Sequence, residues 1–232
     1  MFPVQTLPLS FESSAPILEV DGRLWLIDIG SAMSAAPDPG IQLCGRMFYF
    51  DWRRTMQDQP DIEAIRARLG IPLHGIIGMD VLAKVDLFLD PARGLAQVSE
   101  RLDPDWRAYA QVPFVSNPTG VCVYIEIQGR CHVARLCSAR GLAYHRGSIV
   151  DGFPSLGEAQ DWCPRAGALV APSHVVPLRI ADVSLDLRFG QASDAMEQAF
   201  TDARVDCHIG SELFRSRPSY VMGRRRMIAL AR

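Results

Sequence analysis

Ile17-Leu18-Glu19-Val20-Asp21-Gly22-Arg23-Leu24-Trp25-Leu26-Ile27-Asp28 reads as two short apolar strands around a tight Asp-Gly turn, a β-hairpin that delivers Asp28 at its end. Past the midpoint of the chain, Val123-Tyr124-Ile125-Glu126-Ile127-Gln128-Gly129-Arg130-Cys131-His132-Val133-Ala134-Arg135 has the same layout, with Gly129-Arg130 at the turn. The two stretches align without a gap and set Arg135 on Asp28.

The ends of the two halves also match. His74-Gly75-Ile76-Ile77-Gly78-Met79-Asp80-Val81-Leu82 is echoed by Asp206-Cys207-His208-Ile209-Gly210-Ser211-Glu212-Leu213-Phe214, Gly on Gly and acid on acid. The match runs on through Val85 to Asp90 against Arg217 to Met222. Turns at Pro91 to Gly94 and Gly223 to Arg226 then lead into Leu95 to Val98 and Met227 to Leu230, so each half closes with a hairpin. A lobe of about 100 residues buries only part of its apolar surface, so two copies are expected to pack face to face about a pseudo-two-fold axis. The spacing predicts lobes over 1–100 and 112–232, with 101–111, which carries Pro104 and several charges, as linker.

Between these landmarks the halves differ. In the first, Ile41 to Trp52 is expected to form a hairpin. Pro60 to Gly70 is expected to form a helix capped by Asp61, with Ile62, Ile65 and Leu69 on one face and Gly70 at its end. The second has alternation through Val183-Ser184-Leu185-Asp186-Leu187-Arg188-Phe189 and a predicted helix from Ser193 to Ala203. The fold class is mainly β with a few short helices.

Composition narrows the function classes. The chain has 232 residues, is 48% hydrophobic, and sets 24 Lys plus Arg against 26 Asp plus Glu for a net charge of -2. No general field gathers nucleic acid or anionic membrane. Met1 to Ser14 has no basic residue and no long apolar run, so a cytoplasmic location is expected. The six cysteines, Cys44, Cys122, Cys131, Cys137, Cys163 and Cys207, are scattered in a way that suits reduced thiols. Cys131-His132 and Cys207-His208 are neighbours on strands and point to opposite faces, so neither pair can give two ligands to one ion; no metal and no cofactor is expected. A Cys137 nucleophile served by His208 is conceivable, but nothing in the sequence activates that thiol. Arg224-Arg225-Arg226 falls at a turn and reads as solvated.

Leu26-Ile27-Asp28-Ile29-Gly30-Ser31, taken with Ile76-Ile77-Gly78-Met79-Asp80-Val81-Leu82, resembles the paired signature of retropepsin-like and pepsin-like aspartic peptidases. The resemblance implies a two-lobed acid-protease fold with a pseudo-two-fold axis. The family's chemistry uses two aspartates, one from each lobe, sharing a proton and activating a water. Asp28 corresponds to the first. The gapless alignment puts Arg135-Leu136-Cys137-Ser138 over the second motif, so a salt bridge would replace the dyad, and a guanidinium that is never deprotonated and cannot act as a base would replace the second carboxylate.

The candidate site is therefore Asp28 in the catalytic position, with Gly30, Ser31, Arg135 and Ser138 as binding residues. Ser31 and Ser138 keep the family's small hydroxyl and could bond Asp28 or Arg135. Ile29 and Leu136 lack the hydroxyl that braces the two loops in the family, so that network is expected to be lost. Asp80 and Glu212 read as helix caps. Any flap must come from Ala139 to Pro172, because only Ala32 to Gly40 separates the first motif from its next strand.

Three functions follow as expectations. The leading one is a catalytically impaired homologue that binds an extended polypeptide in the inter-lobe cleft by strand addition. The second is an active endopeptidase in which Asp28 from two chains of a homodimer forms the dyad. The third is a non-enzymatic structural or assembly subunit whose cleft is filled by its own side chains.

Overall fold

The computed structural model describes residues 3–50, 62–117, 120–163 and 167–232. The first half runs β1 (Gln5–Glu12), β2 (Ala15–Val20), β3 (Arg23–Ile27), β4 (Gly40–Leu43), β5 (Arg46–Tyr49), α1 (Ile62–Leu69), β6 (Leu73–Ile77), α2 (Met79–Leu82), β7 (Asp86–Asp90) and β8 (Leu95–Ser99). The second runs β9 (Tyr109–Pro113), β10 (Val115–Asn117), β11 (Gly120–Ile127), β12 (Arg130–Leu136), β13 (Ala143–His145), β14 (Ser155–Cys163), β15 (Gly167–Ile180) and β16 (Val183–Gln191). It ends with α3 (Asp194–Ala203), β17 (Cys207–Ile209), α4 (Glu212–Arg215), β18 (Ser219–Met222) and β19 (Met227–Ala231). The expected cap Asp61 and the end of the β5 hairpin at Trp52 lie outside the described residues.

Both motif hairpins form, and for the same local reason. Asp21 and Gly22 have φ of 51° and 72°, Gln128 and Gly129 have 51° and 75°. Two successive residues in the left-handed region make the turn whose twist suits a two-residue hairpin. The second turn is thus Gln128-Gly129, one residue earlier than the Gly129-Arg130 expected. The facing pairs agree as well: Val20 with Arg23 in β2/β3, and Ile127 with Arg130 in β11/β12.

The pseudo-two-fold axis is visible in the strand pairing. A run of six consecutive antiparallel strands, β1-β8-β7-β18-β19-β9, ends the nine-stranded sheet that both halves share. At its centre β7 pairs with β18 through Leu87 with Val221, Phe88 with Tyr220, and Leu89 with Ser219. Setting Gly78 on Gly210 makes Leu87 equivalent to Ser219, Phe88 to Tyr220 and Leu89 to Val221. The outer pairs then exchange with each other, and Phe88-Tyr220 maps onto itself. That pair sits on the axis, its rings 4.5 Å apart. Tyr109 to Gln111 of the expected linker are already strand, β9 against β19.

One apolar core runs through both halves, joining Leu7, Ile27, Ile77, Leu87 and Val98 to Val123, Leu136, Ile209, Val221 and Leu230. A smaller cluster packs α1, through Ile65 and Leu69, on Ile17, Leu26 and Ile76. Its counterpart packs α3, through Met196 and Phe200, against Tyr144 and Cys122. β14 and β15 form the long hairpin of the second half, at the edge of an eight-stranded sheet. Arg225 is not solvated as expected: it pairs with the buried carboxylate of Asp86 and lies over the ring of Trp106.

Candidate functional site

Asp28 follows β3 and enters a loop tied to β6, its N–H donating to the Ile77 carbonyl at 3.0 Å. The Gly30 N–H donates to one carboxylate oxygen at 2.9 Å and the Ser31 hydroxyl to the other at 2.8 Å. Both oxygens are held, and Asp28 is only 6% exposed. Gly30 is required by a close approach: a Cβ there would lie 2.9 Å from the Leu136 carbonyl oxygen and 3.1 Å from Cα of Cys137. The loop after β3 and the loop after β12 therefore meet backbone to backbone.

The residue that stands opposite Asp28 is Cys137. In the second half it is the Cys137 N–H that donates to Ile209, at 2.9 Å, as Asp28 donates to Ile77. Arg140 N–H bonds the Cys137 carbonyl at 3.0 Å as Ser31 N–H bonds that of Asp28 at 3.1 Å, and Ser211 and Met79 each donate to the loop residue three further on from that position. The parallel pairs agree, Leu136 with Ile209 and Ile27 with Ile77. The equivalent of Asp28-Ile29-Gly30-Ser31 is Cys137-Ser138-Ala139-Arg140.

The expected equivalence of Arg135 is therefore corrected by two residues. Strand β12 has seven residues and β3 has five, so the longer second hairpin carries its loop further from the turn. Arg135 remains on the strand and still crosses between the halves. Its Nη2 donates to the Gly30 carbonyl at 2.7 Å rather than to the Asp28 carboxylate. Gly120, at φ 133°, leaves room for that guanidinium: a Cβ there would lie 2.8 Å from Arg135 Nε.

The same shift restores part of the bracing that was expected to be lost. Ser138 follows Cys137, and its hydroxyl accepts from the Ile29 N–H at 2.9 Å and donates to the Ile27 carbonyl at 2.8 Å. Ser138 is fully buried. The brace is one-sided, because Ile29 has no hydroxyl to return it. Ser31, by contrast, bonds Asp28 as expected.

The expected helix caps act as braces too. Asp80 accepts from the N–H and hydroxyl of Ser34, at 2.8 and 2.6 Å, and fixes the loop beyond Ser31. Glu212 accepts from the Arg188 N–H at 2.7 Å and ties α4 to β16. Neither caps its helix by a side-chain bond.

The second half's long hairpin, β14/β15, is tied to the second motif loop. Asp161 on β14 accepts from Tyr144 at 2.9 Å and from Gly141 N–H at 2.8 Å, which pins the strand beneath the second motif loop. The next residue, Trp162, packs with Ala139 into the first half's cluster of Leu26, Ile65, Leu69 and Ile76. Leu26 lies two residues before Asp28. The sequence signal for this was present, a lone aromatic in β14, but its partner was not.

Neither Cys137 nor the cysteine-histidine pairs assemble into a metal centre among the described residues, and Cys44, Cys131 and Cys207 are free thiols. His208 does not serve Cys137: neither of its ring nitrogens has a hydrogen-bond partner. It is 4% exposed, edge-on to Phe200 at 4.5 Å. Burial first, then the charges of Arg140 and Arg135, lower its pKa to about 2, so it is a neutral imidazole.

Two lobes about a shared antiparallel sheet, with a motif loop from each meeting at the axis, define the two-lobed pepsin-like fold. Conglutin gamma, a basic 7S globulin from lupine seeds, is similar with a TM-score of 0.54 and 8% identity over 100% of this chain and 95% of its own. Basic 7S globulin from soybean is similar with a TM-score of 0.52 and 9% identity over 100% and 97%. At such identity the likeness is one of fold. No family model and no curated protein sequence matches the chain. No helix among the described residues is long and apolar enough to cross a membrane.

Proposed function

We propose that this chain is an aspartic-peptidase homologue that no longer hydrolyses peptides and holds an extended polypeptide at the junction of its lobes. The observation that carries the reading is Cys137 at the backbone position opposite Asp28, where the dyad needs a second carboxylate. Two carboxylates at a short distance share one proton and polarise one water. A thiol and a carboxylate have no such shared-proton state. Asp28 nevertheless keeps its hydrogen-bond frame, which supports descent from a working site. A dyad made with Asp28 of a second copy finds no support, because Leu136 and Cys137 of the same chain already cover Gly30.

Unfolded casein, offered at acidic and neutral pH, should remain intact while a labelled casein binds. Specific cleavage that disappears in Asp28→Asn would overturn the proposal.

A second reading has its own support. Trp162 and Ala139 from the second half pack into the first half's cluster around Leu26, two residues before Asp28, which supports a structural or assembly subunit with a self-filled cleft. It predicts that labelled casein binds neither the native protein nor Trp162→Ala.

A further inference from the structure

Away from the motif loops, a groove of about 410 Å³ opens where the end of β1, the β7/β8 turn and the segment between α4 and β18 converge. That size lies within the range of about 300–1,000 Å³ usual for small-ligand sites. Leu9, Phe11, Pro91 and Pro218 give it apolar walls, and Arg215 and Arg217 give it two cations. No acidic residue lines it, and neither arginine forms an ion pair among the described residues.

The internal repeat marks this place as altered. Setting Gly78 on Gly210 makes Arg217 the counterpart of Val85, which is 1% exposed in the core of the first half. The second half has exchanged a core valine for a guanidinium. Arg217 Nη1 donates to the Ala231 carbonyl at 3.0 Å, whereas its Nε is buried with no partner. Burial lowers the Arg217 pKa, and no nearby acid offsets it.

We infer that this groove is a binding site for a carboxylate joined to a small apolar body, with Arg217 and Arg215 receiving the carboxylate and Leu9, Phe11 and Pro218 the apolar part. A guanidinium edge matches a carboxylate through paired N–H donors. The side chains of the two prolines and the phenylalanine present no donors or acceptors to a polar tail. None of Asp28, Gly30, Ser31 or Cys137 lines the groove, so the site stands or falls apart from the reading of the lobe junction.

Titration calorimetry with 3-phenylpropionate on the full chain tests it, with 3-phenylpropanol and inorganic phosphate as comparison probes. Saturable binding of the carboxylate is expected, at least about tenfold tighter than of the alcohol or of phosphate, a difference of about 1.4 kcal/mol. Arg217→Met should lose about tenfold or more. Ala92→Phe, which leaves both cations and fills the groove, should lose binding also. Circular dichroism identifies any variant that fails to fold, and the other variant then decides. Absence of saturable binding to the native chain overturns the inference, as does binding that survives in a folded variant. Phosphate binding as tight as that of the carboxylate overturns the apolar half of it.

Discussion

Acidification should destabilise this protein through His208, and the structure sets the size of the effect. Its folded-state pKa is about 2, whereas an unfolded histidine titrates near 6.5. Between those values the unfolded chain binds a proton that the folded one refuses, so stability is complete above about pH 6.5 and falls as the pH is lowered. Each unit of pH in that window costs about 1.4 kcal/mol. From pH ~7.5 to ~4.5 the loss is roughly 3 kcal/mol, and it stays so if the folded value is a unit higher. That is a large part of the ~5–15 kcal/mol that holds a typical domain. The matched variant is His208→Ile, because Ile76 holds the equivalent place in the first half and is fully buried there. Denaturant unfolding of both proteins across this pH range isolates the term. His145, whose pKa is also lowered by burial and by His132 at 3.3 Å, is common to both and cancels. The variant should gain on the native protein by roughly 3 kcal/mol on going to the acid end. Parallel pH profiles, or a native imidazole that titrates near 6.5, would refute the reasoning.

Two further perturbations probe the frame around the site. Ser138→Ala removes both cross-loop bonds and leaves the Ile29 N–H and Ile27 carbonyl buried without them, so it should cost about 2–4 kcal/mol in denaturant unfolding; a loss below ~0.5 kcal/mol would mean the loops are braced by packing alone. Arg225→Met strands the Asp86 carboxylate, whose side chain is 2% exposed, and should cost about 3–5 kcal/mol. In that case Asp86→Asn in the same background should recover part of the loss, and a failure to do so would show that Arg225 acts by packing on Trp106.

Much of this architecture is legible before any coordinates. Asp21-Gly22 and Gly129 mark turns that only φ above zero can make, and both hairpins turn there. The Gly78 and Gly210 segments are equivalent because each glycine lies under the preceding loop, where a Cβ would meet a carbonyl oxygen at 2.5 and 2.4 Å. That constraint is local and shows as an invariant residue between the halves. The ion pair of Arg225 with Asp86 and the packing of Trp162 on Ile65 were not legible, because the partners lie far apart along the chain and their patterns look like ordinary turn and strand.

The duplicated two-lobe design, the hairpins and the solitary catalytic-type aspartate are properties of the sequence itself, since turn chemistry and strand alternation act over a few residues. The identity of the residue opposite Asp28 was decided by the tertiary structure. Strand side chains alternate with a period of two, so lengthening β12 by two residues leaves every side chain on its expected face, and the pattern reads equally well with Arg135 or Cys137 at the loop. A slip of one would have put apolar residues into solvent and been visible. Only the hydrogen bonds to the neighbouring β17, which count residues from the other side, place Cys137 there, return Ser138 to the brace, and send Arg135 to the Gly30 carbonyl.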